Sequence, residues 1–423
     1  MQHYQSDYFE ELASYLEEKY LKTIITPNLN KLIHTIEVII FRQPSTLPLE
    51  IINYSIGFDE KSIECQRFEE VQKMYGSIYS FMLQLFSCQC IDICTLKMFV
   101  TPSFINRIIG LYESEYENER SHLKVLLHRL YARFVPRRMM IRKAIDDKLL
   151  EVIYLDANFN GTAELLNILS ALISGFSVPL STYNVLFFKN VLLPLLKINT
   201  AYFHESLLRN TMLYLGKDSS LAVPLIKALI QYWPFGNSAN EVLFIMHLGE
   251  AIEICDFDKQ GPLAIRVFKR IVKCLSGEHL QIVDQAMCLF EKDIVLQVLH
   301  NYKNLIYPFL VPVVDNLAQT HWHPQLKESF KSLSLIIEEV DTAAFEQAMN
   351  NSNAITQQIN EQANNRKLLD QKWDYLNQKI MQLYPDYEEP DIPYSANKVV
   401  TNFNEMYYSI GQKRCSQNAS YLD

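Results

Sequence analysis

The chain has 423 residues, 49% of them hydrophobic and only 11 of them glycine, and its formal net charge is -9. That is enough apolar material for a large core, and too little glycine for the tight turns and phosphate-cradling loops of doubly wound nucleotide-binding folds. The acidic balance argues against nucleic acid as the main partner, because phosphate contacts call for a basic surface.

The opening MQHYQSDYFEELASYLEEKY has neither the basic start nor the apolar stretch of a secretory leader. No run elsewhere approaches the roughly 20 uncharged apolar residues of a membrane span. The expectation is a soluble cytoplasmic protein, with the nucleus as a second compartment. Residues 1–29 read as an N-terminal extension. From residue 30 to about 350, apolar helices of three or four turns alternate with short polar or proline-containing breaks. Helices of that kind bury their apolar faces only by stacking in pairs. The predicted fold is therefore all-α, a HEAT-like helical-repeat solenoid.

Cys88, Cys90 and Cys94 come closest to a metal cluster, but their spacing matches no zinc pattern and no second pair of ligands lies nearby. Packed helical cysteines are expected instead, with no metal and no cofactor. In HRLYARFVPRRMMIRKAI, Arg129, Arg133, Arg137, Arg138, Arg142 and Lys143 concentrate positive charge in an acidic chain. Two readings stand: solvated ridges whose stems cover apolar surface, or a cationic face for an acidic or phosphorylated peptide. Val152–Tyr154 could be a short strand by propensity, as could Val311–Val314, yet both have helical flanks and are assigned to helices.

Thr162–Ser174 is the clearest helix, with Leu165, Leu166, Ile168, Leu169, Leu172 and Ile173 on one face and Gly175 as its stop. The following stretch, from Asn184 to Pro234, predicts three more helices. Pro194, Pro224, Pro262 and Pro308 lie near the repeat period. His321 and His323 are i and i+2 and point apart, so they read as structural or capping residues. Residues 351–385 suit one polar helix with an apolar stripe at Leu368, Leu369, Trp373, Leu376, Ile380 and Leu383. Residues 386–423 are expected to be disordered. No phosphate loop, nucleophile elbow, zinc helix or dinucleotide turn occurs, so no catalytic residue is assigned and the chain is not read as an enzyme.

HRLYARFVPRRMMIRK, NGTAELLNILSALISGF, VLLPLLK, IKALIQYWP, EVLFIMHLGEAIE and QTHWH occur in this order. Together they resemble the B-prime family of protein phosphatase 2A regulatory subunits, while the first fifty and last forty residues match poorly. The resemblance implies a superhelix of about eight repeats that docks on a phosphatase scaffold subunit and catalytic subunit. It also implies recruitment of substrates through a Leu-x-x-Ile-x-Glu motif held in a groove.

His128, Arg129, Tyr131, Arg138 and Arg142 match the family's groove residues, Ile168 matches an apolar-pocket isoleucine, and Leu172 replaces a second one. Ser181 and Asn184 stand where the family has the lysine and histidine that read the motif's glutamate. Asn167 replaces a family glutamate. The expected consequence is weaker dependence on that glutamate, unless a retained arginine reaches it. In the acidic turn LYESEYENER, Glu115 and Glu119 match a loop expected near the catalytic subunit. The alternative reading is a helical-repeat adaptor that no longer binds the phosphatase.

Overall fold

The computed structural model describes residues 25–42, 63–89, 91–155, 160–198, 200–258 and 260–383. Among them no strand occurs. The tail from 386 onward, Cys90 and most of the N-terminal extension lie outside the described residues.

The helices are α1 (Thr26–Ile40), α2 (Ile63–Ser87), α3 (Ile93–Lys97), α4 (Pro102–Gly110), α5 (Glu117–Arg133), α6 (Arg138–Leu155), α7 (Thr162–Ser174) and α8 (Thr182–Phe187). They continue as α9 (His204–Lys217), α10 (Ala222–Gln231), α11 (Ser238–Ile254), α12 (Gly261–Leu275), α13 (Leu280–Cys288), α14 (Asp293–Asn301), α15 (Lys303–Thr320), α16 (Pro324–Val340) and α17 (Thr342–Leu383). The possible strands at Val152 and Val311 lie inside α6 and α15.

Two rows of helices run side by side. In one, α2 packs on α5, α5 on α7, α7 on α9, α9 on α11 and α11 on α13. In the other, α4 packs on α6, α10 on α12 and α12 on α15, while α10 with α11 and α12 with α13 join the rows. Most helices thus cover the one two places along, while α2 with α5 and α12 with α15 are three apart, which is the solenoid logic of buried inner stripes.

Helix α7 shows why this works: all six of its predicted apolar residues are buried. Gly175 follows it as expected, but its φ is -84°, so the helix ends without the left-handed turn that favours glycine. The next predicted helix is broken. Pro194 has no N–H and crowds the carbonyl four residues back. The chain therefore passes from α8 into a π turn (Phe188–Leu192), with Leu193 N–H bonded to Phe188 O at 3.0 Å, and then a 3-10 turn (Pro194–Lys197).

Pro262 opens α12, and α15 runs through Pro308 and Pro312. His323 caps α16, its Nδ1 accepting from Leu326 N–H at 3.4 Å, and His321 Nδ1 accepts from His323 N–H at 3.1 Å. Two compact units divide at Met349–Asn350. In the second, Leu368, Leu369, Trp373 and Leu376 of α17 are exposed.

Candidate functional site

The arginine-rich stretch forms the end of α5, a 3-10 turn over Val135–Arg137, and the start of α6. Most of its guanidinium groups serve the chain's own backbone. Arg133 donates to Phe86 O at 2.7 Å and to Ile91 O at 3.2 Å, and Arg137 to Lys97 O at 3.4 Å. Arg138 donates through Nε to Tyr131 O at 3.0 Å and through Nη2 to Ala132 O at 3.3 Å, with its guanidinium over the Tyr131 ring. These are carbonyls at the end of α5, which lack partners within the helix. The broad cationic face therefore shrinks. His128, Arg129 and Lys143 are exposed, and Arg142 is half-buried.

Arg142 sits in a slot. Its guanidinium carbon lies 4.7 Å from the ring centres of both Phe176 and Tyr183, and Nη2 donates to Asn184 Oδ1. Two aromatic faces favour the cation, while the amide fixes its rotation. The Tyr183 hydroxyl donates to Asp146 Oδ2, one helical turn after Arg142 on α6. Burial pushes the Asp146 carboxyl up to about 6, against the lowering influence of the Tyr183 bond and the Arg142 charge. Burial and the bond to Asp146 raise the Tyr183 phenol well above its ordinary value.

Asn184, predicted as a groove residue, is 6% exposed and is the partner of Arg142. Ser181 is exposed and caps α8, accepting from Asn184 N–H at 3.4 Å. Ile168 and Leu172 lie on α7 at 2% and 6% exposure, inside the hydrophobic core. Any ligand that reached them would meet only their margins. Asn167 accepts from the Ser206 hydroxyl at 3.1 Å and so bridges α7 to α9.

The acidic turn divides its residues unlike the prediction. Glu119 is 3% exposed. Its carboxylate accepts from Arg42 at 2.9 and 2.7 Å, from the Tyr79 hydroxyl at 2.7 Å and from the Ser114 hydroxyl. Glu119 is thus a buried anchor joining α5 to the end of α1 and to α2, with nothing left for another protein. Arg120, beside it, pairs with Glu164 at 2.9 Å and donates to Ser114 O at 2.8 Å. Glu115 is half-buried with one carboxylate oxygen buried and unbonded, and Glu117 is the exposed carboxylate of this turn.

The residues that sequence reasoning missed are Asp146, Phe176 and Tyr183. Asp146 follows Arg142 by four, a signal that was present, but the pairing across to α8 depends on the fold. Among the described residues no group of three His, Cys, Asp or Glu side chains could hold a metal, and no helix is long and apolar enough to cross a membrane.

The model of the family described as "Protein phosphatase 2A regulatory B subunit (B56 family)" matches residues 2–380. The match takes in the first fifty residues, where the motif resemblance is poor. The B' delta isoform of the 55 kDa regulatory subunit of serine/threonine protein phosphatase 2A from Arabidopsis thaliana is 29% identical over 273 residues, 64% of this chain and 57% of its own length. The delta 1 isoform of the 56 kDa regulatory subunit from Schizosaccharomyces pombe is 27% identical over 75% of this chain and 57% of its own. The human 56 kDa alpha isoform is 30% identical over 59% and 51%. The chain spans a little over half the length of these curated relatives. All three are named as regulatory subunits of a phosphatase, and with the match over nearly the whole sequence this chain belongs to the B56 family of protein phosphatase 2A regulatory B subunits.

Proposed function

We propose that this protein docks on the scaffold and catalytic subunits of protein phosphatase 2A and recruits substrates through an acidic short linear motif of the Leu-x-x-Ile-x-Glu kind. The observation that carries the motif reading is the Arg142 slot: a half-buried guanidinium held by two rings and one amide. Such a cation needs little reordering to bind a carboxylate, which favours binding. Arg129 and Lys143, both exposed, lie in the same stretch and would add attraction at longer range. In this reading Ile168 and Leu172 contribute only their margins, and the anionic end of the motif carries more of the selectivity.

The family assignment supports phosphatase docking, and the exposed Glu117 replaces Glu119 as the acidic candidate for that contact. The proposed place of action is the cytoplasm, with the nucleus as a second compartment. Two measurements test the proposal. Co-purification should bring down a phosphatase catalytic subunit and a helical scaffold, and their reproducible absence would leave the adaptor reading. A Leu-x-x-Ile-x-Glu peptide should bind, and Arg142→Met should remove most of the preference for Glu over Ala at its last position. A preference that survives Arg142→Met would refute the slot as the reader.

A further inference from the structure

The Arg142 slot contains one contact that the peptide-groove reading does not use, the bond between Tyr183 and Asp146. Tyr183 is partly exposed, yet its hydroxyl is committed to Asp146. That bond fixes the ring whose face lies 4.7 Å from the Arg142 guanidinium. Asp146 is therefore placed where its charge acts on Arg142 without forming an ion pair with it.

We propose that Tyr183 and Asp146 set the groove's selectivity for acidic peptides, Tyr183 as the wall that positions Arg142 and Asp146 as an internal anion against which an incoming carboxylate must compete. This rests on the groove reading above. The ligand class is a peptide carboxylate, because the slot holds one guanidinium edge rather than the several cations that a phosphate group gathers.

The arrangement has a signed consequence. An anion bound at Arg142 is repelled by ionised Asp146 and not by neutral Asp146. Binding of an acidic peptide should therefore take up a proton, and the preference for Glu over Ala should grow as pH falls through about 6. A peptide glutamate stays largely ionised there, since its ordinary pKa is about 4.3.

The groups facing Asp146 are few. Arg142 and Asp147 lie on its own helix, Tyr183 reaches it from α8, and Tyr214 of α9 senses it at longer range. From the other elements packed on α6, Arg107 lies near Glu37 and over the Phe41 ring, Arg137 donates to Lys97 O, Lys197 lies over the Tyr232 ring and Lys189 is exposed. Imidazoles also charge in this range, so His128 is the control.

The test uses the full chain and two fluorescent peptides, one ending its motif in Glu and one with that Glu changed to Ala, at pH 7.5 and 5.5. Natural protein, Asp146→Asn, Tyr183→Ala and Tyr183→Phe are compared, each also with His128→Gln. The expected result is a Glu-over-Ala ratio that rises roughly threefold or more at pH 5.5 in the natural protein. In Asp146→Asn it should be high and flat. In Tyr183→Ala it should fall at both pH values, while Tyr183→Phe should keep most of the ratio because the ring remains. A flat ratio in the natural protein, or an equal rise in Asp146→Asn, would overturn the proposal. If neither peptide binds the natural protein, the groove reading fails and this inference with it. A strong, pH-independent Glu preference keeps the groove reading and overturns this inference alone.

Discussion

Glu119 should be the most stability-sensitive residue of the acidic turn, and Glu117, two positions away, among the least. In Glu119→Gln one carboxylate oxygen becomes an NH2 group that must face a donor from Arg42, Tyr79 or Ser114. Hydrogen bonds to a charged group are worth about 1.5–3 kcal/mol each, and breaking a buried pair costs about 3–5 kcal/mol. The Glu119 side chain is 1% exposed, but that of Arg42 is 23% exposed and can recover some hydration. The expected loss is therefore at the low end, about 3 kcal/mol. Glu117→Gln removes only an exposed charge in the first turn of α5 and should cost less than about 0.5 kcal/mol. A repeat array need not unfold in one step, so urea melts should be paired with hydrogen exchange over α1, α2 and α5. If Glu119→Gln keeps the natural midpoint and protection, the buried network is not an anchor. The same logic makes Glu119→Lys a folding mutant, so catalytic-subunit contact should be probed at Glu115 and Glu117.

Ile168→Asp places a carboxylate in the core and should lower stability by about 3 kcal/mol or more; an unchanged thermal melt with lost peptide binding would return Ile168 to the groove surface. A Cβ at Gly161 would lie 2.5 Å from Tyr112 Cβ and from its carbonyl oxygen. Gly161→Ala should therefore cost about 1–3 kcal/mol, whereas Gly216→Ala, with open space around it, should gain about 0.5–1 kcal/mol in α9. Burial pushes His204 down to about 4 and His247 to about 3. Unfolded histidines take up protons below about 6.5, so this stability is complete above that pH and is lost as pH falls toward 4 and then 3. His204→Phe should flatten the acid limb of a stability–pH curve between about 6.5 and 4, and an unchanged limb would place the titration elsewhere.

The fold was legible because its signal is periodic. The apolar face of α7 can be counted off its sequence, and a helix that must bury such a face needs neighbours, which gives the solenoid. Local chemistry also announced the His323 cap and the prolines that open or interrupt helices. The site was less legible because its contacts join residues some 40 positions apart. The sequence places six basic residues together, but whether an arginine faces a ligand or a carbonyl depends on where the preceding helix ends, and Arg133, Arg137 and Arg138 reach carbonyls. Glu115, Glu117 and Glu119 look alike as a run of acidic residues. Only the packing of α2 against α5, with Arg42 reaching in from just past α1, sends Glu119 inward and leaves Glu117 outside.

The two departures from the family pattern can be separated by the work each residue does. Ser181 is exposed and its capping bond is long, at 3.4 Å, so Ser181→Lys should cost only about 0.5 kcal/mol, the low end for a cap. It adds an ammonium whose attraction for a peptide carboxylate, being exposed, is worth about 0–1 kcal/mol. Asn184 is buried and supplies the acceptor for Arg142. In Asn184→His a neutral ring can accept that bond only if its larger body fits, and a charged ring repels the guanidinium. The new imidazole should therefore add nothing to the glutamate preference, and should reduce it as it charges. The expected order at pH 7.5 is Ser181→Lys above natural protein, with Asn184→His at or below it and the double mutant no better than Ser181→Lys alone. Paired Glu and Ala peptides on the four proteins give the ratios directly. If Asn184→His alone raises the glutamate preference, Asn184 is not the support of Arg142 and the slot does not read the peptide as argued.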